Sequence, residues 1–263
     1  MTSDIGLSSL TRFLRGLVLE ECILCGSEGE PTLHPEFDSL LAVVARATAA
    51  LTLHTNGATH SEAWWAALPA KLSQFSRARL SFGLDGLADT HGRHRTTPFE
   101  VVAANLRAFA RAGGEGVWHC ILFKHNEAQL AAIEATAREI GVKLQVSTSQ
   151  AYDDVCAPPA TIPSGVYGKV DYRDLHQLQQ ATCAPGSIRC LGELFIKADG
   201  TLHPCVFVAR EQDGPLPSGA TAVHISDSDY HAATASAYFQ MAGNGRSAIC
   251  GKYCATQFEA DAG

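Results

Sequence analysis

The sequence predicts an α/β chain in which a partial parallel βα barrel precedes a small C-terminal cysteine-rich hairpin domain. Three observations predict it. Apolar runs alternate with helix-length segments between residues 17 and 147, the order that builds a parallel sheet covered by helices. The runs, among them A-R-L-S-F-G-L and V-W-H-C-I-L-F, are nearly continuous in apolar residues, as in strands buried on both faces. Five of the nine cysteines, Cys183, Cys190, Cys205, Cys250 and Cys254, crowd the last third of the chain.

A short helix is expected over residues 11–15, with Ser8 and Ser9 as candidate caps, Gly16 as its stop, and Leu10, Phe13, Leu14 and Leu17 on one side. Strand 17–24 follows, then helix 36–48, strand 50–54, helix 60–72, strand 77–84, helix 99–113, strand 117–123, helix 126–140 and strand 142–147. A doubly wound open sheet fits the same alternation. From Ser149 to Pro185 the signal turns to Tyr, Asp, Pro and Gln with little periodicity, so the chain divides into a barrel over 1–150, a connection over 151–182 crossing its mouth, and a metal-binding domain over 183–263. Within that domain Gly192 to Phe207 reads as a hairpin turning at Asp199-Gly200. A Gly/Pro loop over 212–219, a short helix over 230–241 and a knuckle from Cys250 to Cys254 complete it.

Composition narrows the partners. With 263 residues, 46% of them hydrophobic, the chain can bury a sizeable core. A formal net charge of -7, with 20 basic residues spread along the sequence, argues against nucleic acid or an anionic membrane as the main partner. A peptide or small molecule fits better. No apolar run approaches the roughly 20 residues that span a bilayer, and the N-terminal stretch lacks a secretory pattern, so a cytoplasmic protein is expected. In a reducing compartment nine cysteines favour metal over disulfides.

The acidic turn from Cys25 to Pro35, C-G-S-E-G-E-P-T-L-H-P, follows the first apolar run, where a parallel barrel keeps its ligands. It sets the Glu30 carboxylate at a strand's carboxyl end, able to accept hydrogen bonds from an ammonium group. Gly26 and Gly29 allow the backbone to approach a ligand, and Pro31 stiffens the exit. Other strand ends carry His54, Thr55 and Asn56; Ser81, Asp85 and Gly86; and Lys124, His125 and Asn126. A basic loop with His91, Arg93, His94 and Arg95 follows the third of these strands. Together they offer hydroxyls and carboxylates for a ribose and an arginine for a carboxylate. Taken singly, each is as well explained as a cap or turn residue.

Cys190-x9-Gly200-x4-Cys205, with Cys183 upstream and Cys250-x3-Cys254 near the end, is the second constellation. Four thiolates suit tetrahedral zinc or an iron–sulfur cluster equally, and five candidates exceed the four sites of one cluster. Cys22, Cys120 and Cys156 read as core or linker cysteines.

These residues resemble the radical S-adenosylmethionine (SAM) proteins that carry a SPASM or twitch-type auxiliary-cluster domain. Glu28-Gly29-Glu30-Pro31 is similar to that family's GGEP motif, Leu53 to Gly57 to its T-N-G strand end, and Ser81 to Gly86 with His91 to Arg95 to its S-x-D-G…H-D-x-x-R segment. Cys190-x9-Gly200-x4-Cys205 fits its auxiliary-cluster signature and is the most specific piece. The resemblance implies that Gly29, Glu30, Pro31, Thr55 and Asn56 serve the SAM amino group and its surroundings. It also puts Ser81 and Asp85 near the ribose, and Arg95 near the SAM carboxylate. An auxiliary 4Fe-4S cluster, a reductase or flavodoxin-type electron donor, reductive cleavage of SAM to a 5′-deoxyadenosyl radical and hydrogen abstraction from a peptide or small molecule are implied with them.

One departure outweighs these agreements: the family's C-x3-C-x2-C loop after the first strand has no counterpart, and Cys22 with Cys25 cannot replace it. The barrel's first strand is expected to be missing with it. Either a trimmed enzyme or a cluster-free relative acting as a metal-containing scaffold is expected, with an unpaired sheet edge beside strand 17–24 that promotes insolubility or dimerisation. A zinc-stabilised barrel aldolase or hydrolase is the remaining reading, and it lacks a lysine nucleophile or a His/Asp metal triad at the strand ends.

Overall fold

The computed structural model describes residues 5–26, 29–149, 152–163, 166, 194–203 and 223–235. The chain divides into two compact units, Val18–Asp171 and a second made of Met1–Leu17 with Tyr172–Gly263. The first helix therefore belongs with the C-terminal part of the chain.

The larger unit is a five-stranded parallel sheet in the order β1-β2-β3-β4-β5, from β1 (Cys22–Cys25), β2 (Ala50–Thr55), β3 (Arg77–Gly83), β4 (Glu115–Leu122) and β5 (Lys143–Thr148). Sequential order with every pair parallel is the winding of a barrel wall. A doubly wound sheet reverses its order at a switch point, and none occurs between these strands. Helices α2 (Phe37–Ala45), α3 (Glu62–Leu72), α4 (Phe99–Arg111) and α5 (Leu130–Ile140) make the crossovers.

Register shows how the sheet sorts its side chains. Leu53, Leu80 and Phe82 have no exposed surface and point toward the helices, where Phe82 meets Trp65 of α3 at 5.0 Å and Phe109 of α4 at 5.9 Å between ring centroids. Leu68, Val102, Leu106 and Ile133 fill the same layer. At about 25 cal/mol per Å² of apolar area removed from water, this layer is what holds the unit together. The opposite face carries the polar side chains: His54 and Ser81 lie in one row with Cys25 and Val117, and His119 and Gln145 in another with Gly83. Nearer the strand starts, Glu115 is paired with Arg79 at 3.0 Å and with Lys143 at 3.4 Å.

Several expected bounds shift. The strand expected over 17–24 reduces to Cys22–Cys25, because Leu19 makes an isolated bridge to Thr48 and Val18 is 94% exposed. Among the described residues β1 pairs with β2 alone, leaving its other edge open and Ile23 58% exposed. The helix expected over 126–140 splits into a 3-10 turn, Glu127–Gln129, and α5.

In the smaller unit α1 (Leu7–Phe13) starts four residues before its expected position; Ser8 and Ser9 lie inside its first turn, and Gly6 caps it without a side-chain bond. Its Phe13 ring meets Tyr230 edge-on at 6.3 Å, and the Arg12 guanidinium donates to the carbonyls of Ile225 and Ser226. The expected hairpin is present as β6 (Phe195–Ile196) and β7 (Thr201–His203), with β8 (Val223–His224) added antiparallel to β7. Helix α6 covers Tyr230–Thr234. The connection over 167–182, the loop over 212–219, residues 236–241 and Cys183, Cys190, Cys205, Cys250 and Cys254 lie outside the described residues.

Candidate functional site

Glu30 is the centre of the site. It leaves β1 in extended backbone and caps the 3-10 turn Pro31–Leu33, whose first position suits the fixed φ of Pro31. Oε1 accepts from the Thr32 hydroxyl at 2.9 Å, the Thr32 N–H at 3.3 Å and the Thr55 hydroxyl at 2.8 Å. Oε2 accepts the Asn56 N–H at 2.7 Å. The carboxylate is half-buried. Two carboxylate oxygens offer about four lone-pair sites, so Oε2 keeps capacity for one further donor. A cationic donor such as an ammonium group makes the stronger, charge-assisted kind of bond to such an acceptor.

The glycines of the turn divide their work. A Cβ on Gly26 would stand 2.0 Å from the Gly29 carbonyl oxygen, so Gly26 closes the turn on itself and does not face a ligand. Nothing lies within 4 Å of a Cβ on Gly29, which leaves that side of the loop open.

The second half of the site lies beyond β3. Asp85 has no exposed surface, and its Oδ2 receives His94 Nδ1 at 2.6 Å and Arg95 Nε at 2.5 Å while Oδ1 accepts the Ile121 N–H at 2.6 Å. Burial alone would raise its pKa, but the His94 hydrogen bond, the Arg95 charge and the Ile121 N–H outweigh it and hold the carboxyl below its ordinary value. Asp85 is thus fully buried and held by His94, Arg95 and Ile121, and it fixes the loop after β3. That loop turns through a 3-10 segment, His91–Arg93, with His91 Nδ1 accepting the Asp85 N–H at 3.1 Å. Burial, with the charges of Arg95 and His94, lowers the His91 pKa, against the pull of Asp85.

With Nε committed to Asp85, the Arg95 guanidinium lies flat over Gly83. A Cβ there would meet Cζ and both terminal nitrogens at 3.1 to 3.2 Å. Gly83 is in register with His119, whose Nε2 pairs with the Ser147 hydroxyl at 2.8 Å. Ser81, 5% exposed, lies in the same row as His54.

The structure therefore gathers Glu30, Thr32, Thr55 and Asn56 into one hydrogen-bonded cluster at the carboxyl end of the sheet, with Pro31 between Glu30 and Thr32 opening the turn. It joins Asp85 to Arg95 one strand further on. His119 and Ser147 were missed from the sequence. Their signal was the period-two placement of polar residues, Thr52 and His54, Arg79 and Ser81, Gln145 and Ser147, with His119 on the same face four residues after Glu115, within runs that read as mostly apolar. Asn126 serves structure, its Oδ1 accepting the Phe123 N–H at 2.8 Å, and the backbone N–H of Lys124 bonds the Ala157 carbonyl. No group of three metal-ligating side chains occurs among the described residues.

This wall and its ordered rim match known structures. No protein-family model matches the chain, and no curated protein does. Streptococcus suis SuiB bound to S-adenosylmethionine matches with a TM-score of 0.61 at 12% identity, over 90% of this chain and 60% of that one. SuiB bound to precursor peptide SuiA matches with a TM-score of 0.62 at 12% identity, over 97% and 66%. Native anSMEcpe with bound AdoMet matches with a TM-score of 0.56 at 17% identity, over 89% and 71%. The fold is the one these SuiB and anSMEcpe structures share. The chain spans about two thirds of the length of these structures, 60% in the first.

Proposed function

We propose that the chain is a SAM-binding protein of the radical SAM type, acting on a peptide or small molecule. One observation carries the reading: a half-buried carboxylate held by Thr32, Thr55 and Asn56 keeps an acceptor free at the carboxyl edge of the sheet. In this reading Glu30 takes the ligand's ammonium group, the terminal nitrogens of Arg95 take its carboxylate, and Ser81 borders the sugar. Asp85 works by orienting Arg95. The similar structures, SuiB and anSMEcpe bound to SAM and SuiB bound to a precursor peptide, support this reading, and the activity proposed with it is that of an enzyme.

Isothermal titration tests it by comparing SAM with 5′-methylthioadenosine, which keeps the nucleoside and lacks the amino-acid portion. SAM is expected to bind at least about tenfold more tightly, worth about 1.4 kcal/mol. Equal affinities would remove Glu30 and Arg95 from the site.

The auxiliary 4Fe-4S cluster rests on Cys183, Cys190, Cys205, Cys250 and Cys254. What supports it is their spacing in the sequence, with Cys190 and Cys205 on either side of the stretch that forms β6 and β7. When bound, such a cluster supplies electron transfer; zinc on the same thiolates would supply structure alone. Iron with acid-labile sulfide after anaerobic purification selects the cluster, and zinc without sulfide rejects it.

A second reading is a SAM-binding or metal-containing scaffold without radical chemistry. It is favoured by the lack of any C-x3-C-x2-C among these 263 residues. Formation of 5′-deoxyadenosine with reductant and SAM separates the two.

A further inference from the structure

His60 is the one non-glycine residue among those described with a positive φ, 61°. For a residue with a Cβ that conformation is uncommon and persists only where its surroundings impose it. Here the start of α3 imposes it. Ser61 is the N-cap, with its hydroxyl accepting the Trp64 N–H at 3.4 Å, so His60 is the residue just outside the helix. Trp64 stacks on the His60 ring at 4.0 Å between centroids with 15° between planes, and Trp65 Nε1 donates to the Thr59 carbonyl at 2.7 Å. Two tryptophans of one helix turn thus lock the loop after β2.

The locked imidazole has a specific target. His60 Nε2 lies 2.9 Å from the Thr32 carbonyl oxygen, and as the N–H partner it donates there. The Thr59 hydroxyl meets the Thr32 hydroxyl at 2.7 Å. Thr32 in turn gives Glu30 Oε1 both its hydroxyl and its N–H. Thr32 is 2% exposed, so these bonds form away from competing water.

We propose that His60 is a positioning residue that sets the Glu30 carboxylate through Thr32. The proposal rests on the SAM-binding reading for its consequence but not for its geometry. The left-handed backbone at His60 aims the ring at the Thr32 carbonyl, and the Thr59 and Thr32 hydroxyls pass that constraint to Oε1. Oε2 is left directed by the Asn56 N–H and open to a ligand.

The test uses His60→Gly, which keeps the left-handed backbone and removes the ring, Thr32→Val, which removes the hydroxyl, and the double variant. Amide exchange at Asn56 reports the Glu30 contact with no ligand present. Exchange at Val117 in β4 reports whether the sheet is intact. Asn56 is expected to exchange about tenfold faster in each single variant while Val117 keeps its wild-type rate. The double variant is expected to match the worse single variant, because coupled residues are not additive. SAM affinity is expected to fall about tenfold in parallel. Should Val117 also lose protection in His60→Gly, His60→Asn replaces it, since asparagine tolerates the same φ. Wild-type Asn56 exchange in His60→Gly, or effects that multiply in the double variant, would overturn the proposal. Wild-type protein that fails to bind SAM defeats the proposed function, whereas Asn56 exchange still decides the role of His60.

Discussion

The Asn56 N–H donates to Glu30 Oε2 at 2.7 Å, tying the loop after β2 to the acidic turn after β1. The two strands are in parallel register through Cys25 and His54, so the bond closes a rim that the sheet has already aligned. Thr55 adds a second tie from its hydroxyl to Oε1 at 2.8 Å.

Thr55→Val removes that donor while keeping the volume. Hydrogen bonds to charged groups contribute about 1.5–3 kcal/mol, and here the charge is the one proposed to receive the ligand. SAM affinity is expected to fall about tenfold by calorimetry, and the melting temperature to fall as well, because the Thr55 hydroxyl also accepts the buried Gly57 N–H at 2.9 Å. Unchanged affinity would detach Thr55 from the site.

Gly83→Ala tests the other side of the rim. Its methyl group would press on the Arg95 guanidinium from 3.1 Å, a contact the long side chain relieves by moving. Overpacking of this kind costs about 1–3 kcal/mol, and movement of Arg95 transfers the cost to ligand affinity. The expected result is weaker SAM binding with a melting temperature close to wild type. A large loss of stability with unchanged affinity would place Arg95 outside the site.

Asp85→Asn leaves Arg95 and His94 without their shared anion. Breaking a buried pair from one side costs roughly 3–5 kcal/mol, and the melting temperature reads it. The pH dependence has a definite sign. The folded-state pKa of Asp85 lies below the unfolded value, so its stabilisation is present above the unfolded pKa and lost as pH falls through the folded one. His91 acts in the same direction: its lowered folded pKa means that acid below about pH 6.5 favours the protonated, unfolded chain. Denaturation profiles across acid pH should therefore steepen with acidification in wild type, and the step below about pH 4 should disappear in Asp85→Asn. An identical step in the variant would assign it to another carboxylate.

Much of this architecture was legible in the residues because parallel strands buried against helices leave long apolar runs. β2, β3, β4 and β5 fall within two residues of their expected bounds for that reason. β1 was overextended because Leu17, Val18 and Leu19 are apolar yet sit largely outside the sheet. Glu30, Thr55 and Asn56 could be named from the E-P and T-N-G strand ends, but their direct bonding to one another could not, since it depends on register between strands. The burial of Asp85 was equally hidden: its spacing to Arg95 is visible, and its bonds to His94 and Ile121 are a product of the fold. His60 gave no sequence signal, because a histidine before a serine cap has no composition that marks a left-handed backbone.

The account stands on Glu30 as the acceptor of a ligand's ammonium group. Titration of SAM into wild-type protein and into Glu30→Gln measures this directly, because the amide keeps the shape of the side chain and removes its charge. A saturable site that weakens at least about tenfold in Glu30→Gln, about 1.4 kcal/mol, is the predicted result. Equal affinity in the two proteins would contradict it.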